Sequence, residues 1–84
     1  MHTLQWSKKA LKQLIKLPPA DNKRVYREAQ TLAAFPECKQ VKKLTNHPYD
    51  YRLRVGRYRV FFTVDSDVKI IGIEEVKKRD ERTY

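Results

Sequence analysis

The chain has 84 residues, and 19 Lys+Arg against 10 Asp+Glu give it a formal charge of +9 at pH 7. A chain of this length reads as one domain over residues 1–84, with a core thin enough for two helices and one sheet at most, because so small a domain buries only about 60% of its unfolded surface. Cys38 is the only cysteine, which excludes an internal disulfide and a cysteine-built zinc site. No apolar run approaches the ~20 residues of a membrane span. Residues 1–6 do not read as an export signal, so a cytoplasmic location is expected and a membrane partner is not.

Residues 2–6, "HTLQW", alternate weakly and predict a short first strand. In "SKKALKQLIKLPP", Ser7 is a fitting N-cap, and Ala10, Leu11, Leu14, Ile15 and Leu17 recur at helical spacing. Lys8, Lys9, Lys12 and Lys16 take the other face, and Pro18-Pro19 ends the helix. A second helix is predicted over residues 20–36, capped by Asp21 or Asn22, with Val25, Ala29, Leu32 and Ala33 as its stripe. The short connection makes the two helices an antiparallel hairpin.

Residues 37–50 are irregular and basic, with room for a short extended piece over 41–44. The period then changes to two. Tyr51, Leu53 and Val55 alternate with Arg52 and Arg54; Tyr58, Val60, Phe62 and Val64 continue the apolar face. Gly56-Arg57 suits a two-residue hairpin turn of type II′, which takes Gly first. Asp65-Ser66-Asp67 is a second turn, and "VKIIGIEEV" reads as a third strand, apolar on both faces and therefore central. The expected fold is α+β, in the order β-α-α-β-β-β, with the helical hairpin packed on one face of a small, mainly antiparallel twisted sheet.

With Gly56-Arg57 as the turn, Val55 faces Tyr58, Arg54 faces Arg59, Leu53 faces Val60 and Arg52 faces Phe61. The opposed Arg54 and Arg59 would have Cβ atoms ~5 Å apart, a repulsion of about 1 kcal/mol in water. An anion between them reverses the sign, since guanidinium forks match phosphate oxygens. The uncovered sheet face thus reads as a phosphate platform, with Phe61 placed for a base to stack on. A plain solvated basic face is the simpler reading of the same residues. Lys77, Lys78 and Arg79 of the tail return toward the platform, but parity along the third strand does not settle which of Lys77 and Lys78 points to it.

A nucleic-acid binder needs only these charges; a ribonuclease also needs a proton acceptor. His2 and His47 are the only histidines. Glu74 and Glu75 are adjacent, so they point to opposite faces and make no metal-binding pair. What is left is charge stabilisation by arginine, and Tyr84, whose phenol nearby cations would acidify; on the residues alone, a loose terminal aromatic is the simpler reading of Tyr84.

The run "YRLRVGRYRVFFTV", the ending "VKKRDERTY", the early "ALKQLIKLP" and the "VKKL" before the loop resemble the RelE branch of the RelE/ParE toxin superfamily. The resemblance covers nearly the whole chain and agrees with the element order. It implies a toxin that cleaves messenger RNA in the A site of the 70S ribosome, by attack of the 2′-hydroxyl on the adjacent phosphate, without metal or other cofactor. It also implies neutralisation by a cognate acidic antitoxin. Arg52 and Arg54 match the two basic residues of the first hairpin strand, which stabilise the transition state and help activate the nucleophile. Arg59 matches the arginine beside the scissile phosphate and leaving oxygen, Arg79 another transition-state contact, and Tyr84 the tyrosine proposed as general base. Lys43, Arg57, Phe61, Lys77 and Lys78 are the expected RNA contacts around them. Two alternatives stand beside this reading: a ParE-like toxin that poisons DNA gyrase, and a non-catalytic RNA- or ribosome-binding protein.

Overall fold

The computed structural model describes residues 1–79. Strand β1 (Thr3–Trp6) leads into helices α1 (Lys8–Ile15) and α2 (Pro19–Gln30), and a 3-10 turn over Thr31–Ala34 extends the second helix. Strands β2 (Val41–Lys43), β3 (Tyr51–Val55), β4 (Tyr58–Asp65) and β5 (Ile70–Lys78) follow. The sheet runs β1-β5-β4-β3-β2. Only β1 is parallel to its neighbour β5; the other pairings are antiparallel. This is the expected α+β architecture, with the extended piece at 41–43 added as an edge strand.

Local chemistry explains the helix limits. Ser7 caps α1, its Oγ accepting from the Ala10 N–H at 3.0 Å while its hydroxyl donates to the Glu74 carbonyl at 3.0 Å. The expected cap of α2 is corrected. Pro18 occupies the N-cap with no side-chain bond, and Pro19 begins the helix, where a missing N–H does no harm. Asn22 Nδ2 instead donates to the Leu14 carbonyl at 2.9 Å, closing the C-terminal end of α1. The stripe of α1 is also narrower than its spacing suggests. Ala10 and Leu14 are buried, while Leu11 and Ile15 face outward.

The core lies between the helices and one sheet face. Val25, Ala29 and Leu32 meet Leu53, Val60, Phe62, Ile71 and Ile73, all essentially sealed from water. Trp6 stacks on Tyr26 with ring centroids 5.9 Å apart, at the seam between β1 and α2. Among the described residues no helix is long and apolar enough to cross a membrane.

Strand β5 does not alternate uniformly, nor is it apolar on both faces. Phe61 pairs with Glu75 but Phe62 pairs with Ile73, so Glu74 is an extra residue, a β-bulge. The bulge shifts parity by one. Ile71 and Ile73 before it and Val76 after it are all buried, which strict alternation forbids. The strand starts later than expected, at Ile70, because Ser66 to Lys69 form the turn. Asp65 Oδ1 accepts the N–H groups of Asp67 and Val68 there, and Lys69 takes φ +55°.

Strand β1 stops opposite Ile73, so among the described residues no strand lies beside the β5 edge beyond that point. Helix α1 covers it. Gln13 Oε1 accepts the Val76 N–H at 2.7 Å, and Lys9 reaches Glu75 at 3.5 Å.

Candidate nucleic-acid interface

The β3–β4 hairpin carries the site. Its register is the expected one: Arg52↔Phe61, Leu53↔Val60, Arg54↔Arg59 and Val55↔Tyr58. Gly56 has φ +57° and Arg57 is not in the left-handed region, as a type II′ turn requires. Any Cβ at Gly56 would also lie 2.9 Å from Nη1 of Arg24, whose guanidinium packs over the turn from α2. Tyr58 fixes the same corner from below, its hydroxyl donating to Asp21 Oδ2 at 2.8 Å.

The cross-strand pairs carry the arginine face across the sheet. Arg54, Arg59 and Lys77 form one row, and Lys42, Arg52, Phe61 and Glu75 the next. Arg52, Arg54, Arg57, Arg59 and Arg79 line a cleft of about 170 Å³ floored by Gly56 and Tyr58. Arg79 is held there by its backbone, the N–H donating to the Arg57 carbonyl at 2.6 Å. Burial, and then the charges of Arg59, Arg54 and Arg79, lower the pKa of the half-buried Arg52 guanidinium. It still stays protonated at neutral pH. Cations gathered this closely define an anion seat, because a phosphate entering the cleft relieves their mutual repulsion.

Glu75 is the buried carboxylate of this face. It sits 3.5 Å from Lys9 and 3.8 Å from Lys77, so it offsets the lysines at the rim. Among the described residues no three His, Cys, Asp or Glu side chains gather as a metal-ligand set.

Arg52, Arg54, Arg57, Arg59 and Arg79 therefore come together as the sequence suggests. Lys77, paired with Arg59, lies on their face, whereas Lys78, paired with Tyr58, lies on the other. Two expectations are corrected. Lys43 pairs with Tyr51 and shares the helix-side face; the lysine in register with Arg52 is Lys42. Phe61 is not an open stacking surface. It is only 7% exposed, covered by the ring of His47 at 5.0 Å and 17°. Tyr84 lies outside the described residues. Sequence reasoning missed Lys42, Arg24 and the His47–Phe61 stack. The alternation of residues 41–43 held a signal for Lys42, but only once the pairing with β3 was known.

The site is thus a cationic cleft on the open face of a helix-backed sheet. Residues 4–83 match the family described as the ParE toxin of the type II toxin–antitoxin system parDE. The candidate toxin RelE1 of Methanocaldococcus jannaschii is 34% identical over 76 residues, 87% of this chain and 84% of that protein. The archaeal RelE of the RelE–RelB complex from Pyrococcus horikoshii superposes with a TM-score of 0.79 at 30% identity, covering 95% of this chain and 97% of the other. The isolated RelE toxin of Escherichia coli shares the fold, with a TM-score of 0.81 at 19% identity over 96% of this chain and 87% of that one. The chain belongs to this ParE/RelE family and is a RelE-like toxin of a type II toxin–antitoxin system.

Proposed function

We propose that the protein is a ribosome-dependent endoribonuclease that cleaves messenger RNA in the A site. The observation that supports this reading is the convergence of Arg52, Arg54, Arg59 and Arg79 on one cleft. In this reading the 2′-oxygen attacks the adjacent phosphorus, and its proton passes to Tyr84 acting as the phenolate. The bond from phosphorus to the 5′-oxygen breaks, leaving a 2′,3′-cyclic phosphate and a 5′-hydroxyl. Arg52 and Arg54 stabilise the charge that builds on the phosphoryl oxygens. Arg59 stabilises the departing oxygen, which takes its proton from water or the ribosome, since a guanidinium hardly deprotonates in a protein. The arginines supply electrostatically what a metal would otherwise supply, so the reading calls for no cofactor. The ribosome supplies the orientation of a flexible strand that so small a surface cannot impose.

The partner in the cell would be an acidic antitoxin segment laid over the same cleft, both proteins being cytoplasmic; the Pyrococcus relative is in complex with RelB. Primer extension on a messenger in a purified translation system tests the activity. Cuts should appear only with ribosomes and disappear in Tyr84→Phe. Arg59→Gln should lose about 100- to 1000-fold, the effect of removing one transition-state donor. Arg59→Lys should keep part of the rate, and equal loss in both would remove Arg59 from the role assigned to it.

The match to the ParE family supports a second reading, inhibition of DNA gyrase by binding. A gyrase supercoiling assay separates the two: inhibition there, with no cuts in messenger, would favour it.

A further inference from the structure

The loop between β2 and β3 folds back over the arginine face. Leu44 N–H donates to the Asp50 carbonyl at 2.9 Å, closing the loop, and Asp50 Oδ2 accepts from the Val64 N–H at 3.3 Å. Inside it His47 lies on Phe61, with centroids 5.0 Å apart and planes within 17°. Tyr49 leans on both rings at 5.7 and 5.9 Å. The Tyr49 N–H donates to His47 Nδ1 at 3.1 Å. Phe61 is buried by this arrangement, yet His47 remains exposed.

Three features of the stack point to one use. The imidazole is held twice, by Phe61 beneath and by the Nδ1 bond at its edge, so little side-chain freedom remains to be lost when something lands on it. It also stands at the rim of the cationic cleft. Phe61 is the direct cross-strand partner of Arg52, and the Arg54–Arg59 pair lies two residues further along, about 7 Å by strand rise. Finally, the Nδ1 lone pair is already engaged by the Tyr49 N–H, and what His47 leaves exposed beside the cleft is an aromatic ring.

We infer that the His47 ring, backed by Phe61, is a seat for one base of the single strand whose phosphate lies on the arginines. The inference rests on the RNA-cleaving reading above and adds a place where the strand's register is set. An exposed aromatic beside a cationic groove is the combination with which single strands are held without sequence readout.

The test is a titration of the full chain, at low salt, with a short single-stranded oligoribonucleotide carrying 2-aminopurine at one position at a time. Wild type should quench the fluorescence strongly at one position. His47→Ala should lose that quenching and bind about 5- to 100-fold more weakly, the range for one stacked base. His47→Phe should restore both, because it keeps the ring and discards the nitrogens. Unchanged quenching and affinity in His47→Ala would overturn the inference while leaving the RNA reading intact, as would failure of His47→Phe to rescue. Wild type that binds no oligoribonucleotide would also overturn the base seat, whereas the RNA-cleaving reading stands or falls separately on primer extension with ribosomes present.

Discussion

Leu53, Val55, Val60 and Phe62 of the β3–β4 hairpin are 0–3% exposed beneath the helices. Arg52, Arg54 and Arg59 occupy alternate positions of the same strands and line an open cleft. One face is held by volume and exclusion of water, so a side chain there is replaceable by another of similar shape. The other carries no weight in the core. Its opposed Arg54 and Arg59 slightly weaken the sheet they stand on, an effect that an anion bound between them would reverse.

That division can be broken by experiment. The largest effect is expected for Phe62→Ala, which removes a wholly buried ring. It should cost about 3–5 kcal/mol, a large part of the ~5–15 kcal/mol that holds a domain folded, and urea unfolding should show it. Arg54→Gln should leave the urea midpoint unchanged within about 0.5 kcal/mol, or raise it, while RNA cleavage falls about 100-fold. Unfolding by Arg54→Gln would mean that the two faces are not separable.

Tyr58 sharpens the comparison because it belongs to the core face but reaches a polar partner. Its hydrogen bond to Asp21, then burial, then the Asp21 charge raise its pKa, against a smaller lowering by Arg57. A raised folded pKa means that the stabilising contribution is complete below the unfolded value of about 10 and is lost as pH rises through the folded value. Tyr58→Phe should therefore be less stable than wild type by about 1 kcal/mol at neutral pH, and the gap should close above roughly pH 10. A gap that does not change from pH 7 to 11 would show that it does not arise from a bond the hydroxyl loses on ionising. The smallest effect separates neighbours in sequence. Lys77→Gln should weaken RNA binding a few-fold and reduce the salt slope by about 0.7, whereas Lys78→Gln, across the sheet, should change neither.

The hairpin was legible because a strict period of two and a two-residue turn leave one register, and the register alone puts Arg54 against Arg59. The capping of α1 by Ser7 was legible for a similar reason, since it needs only residues three apart. What sequence could not supply depends on contacts between distant segments. Lys42 and Lys43 exchange roles according to how a three-residue strand docks on β3. Phe61 looks open until residues 44–50 fold over it, and nothing in their composition requires that. Asp21 and Asn22 have good capping chemistry, but Pro18 and Pro19 start the helix earlier and free both side chains for other partners.

The extra residue at Glu74 has a consequence for comparing relatives. It works like a frameshift within the strand: upstream and downstream positions belong to different phases, although no loop separates them. A homologue with one residue fewer at this point would carry its cleft-facing lysine one place off in any ungapped alignment, and that lysine would look unmatched. Equivalence along this strand has to be traced through the partner residues on β4, Arg59 for Lys77 and Val60 for Val76, because counting along the chain assigns the wrong neighbour.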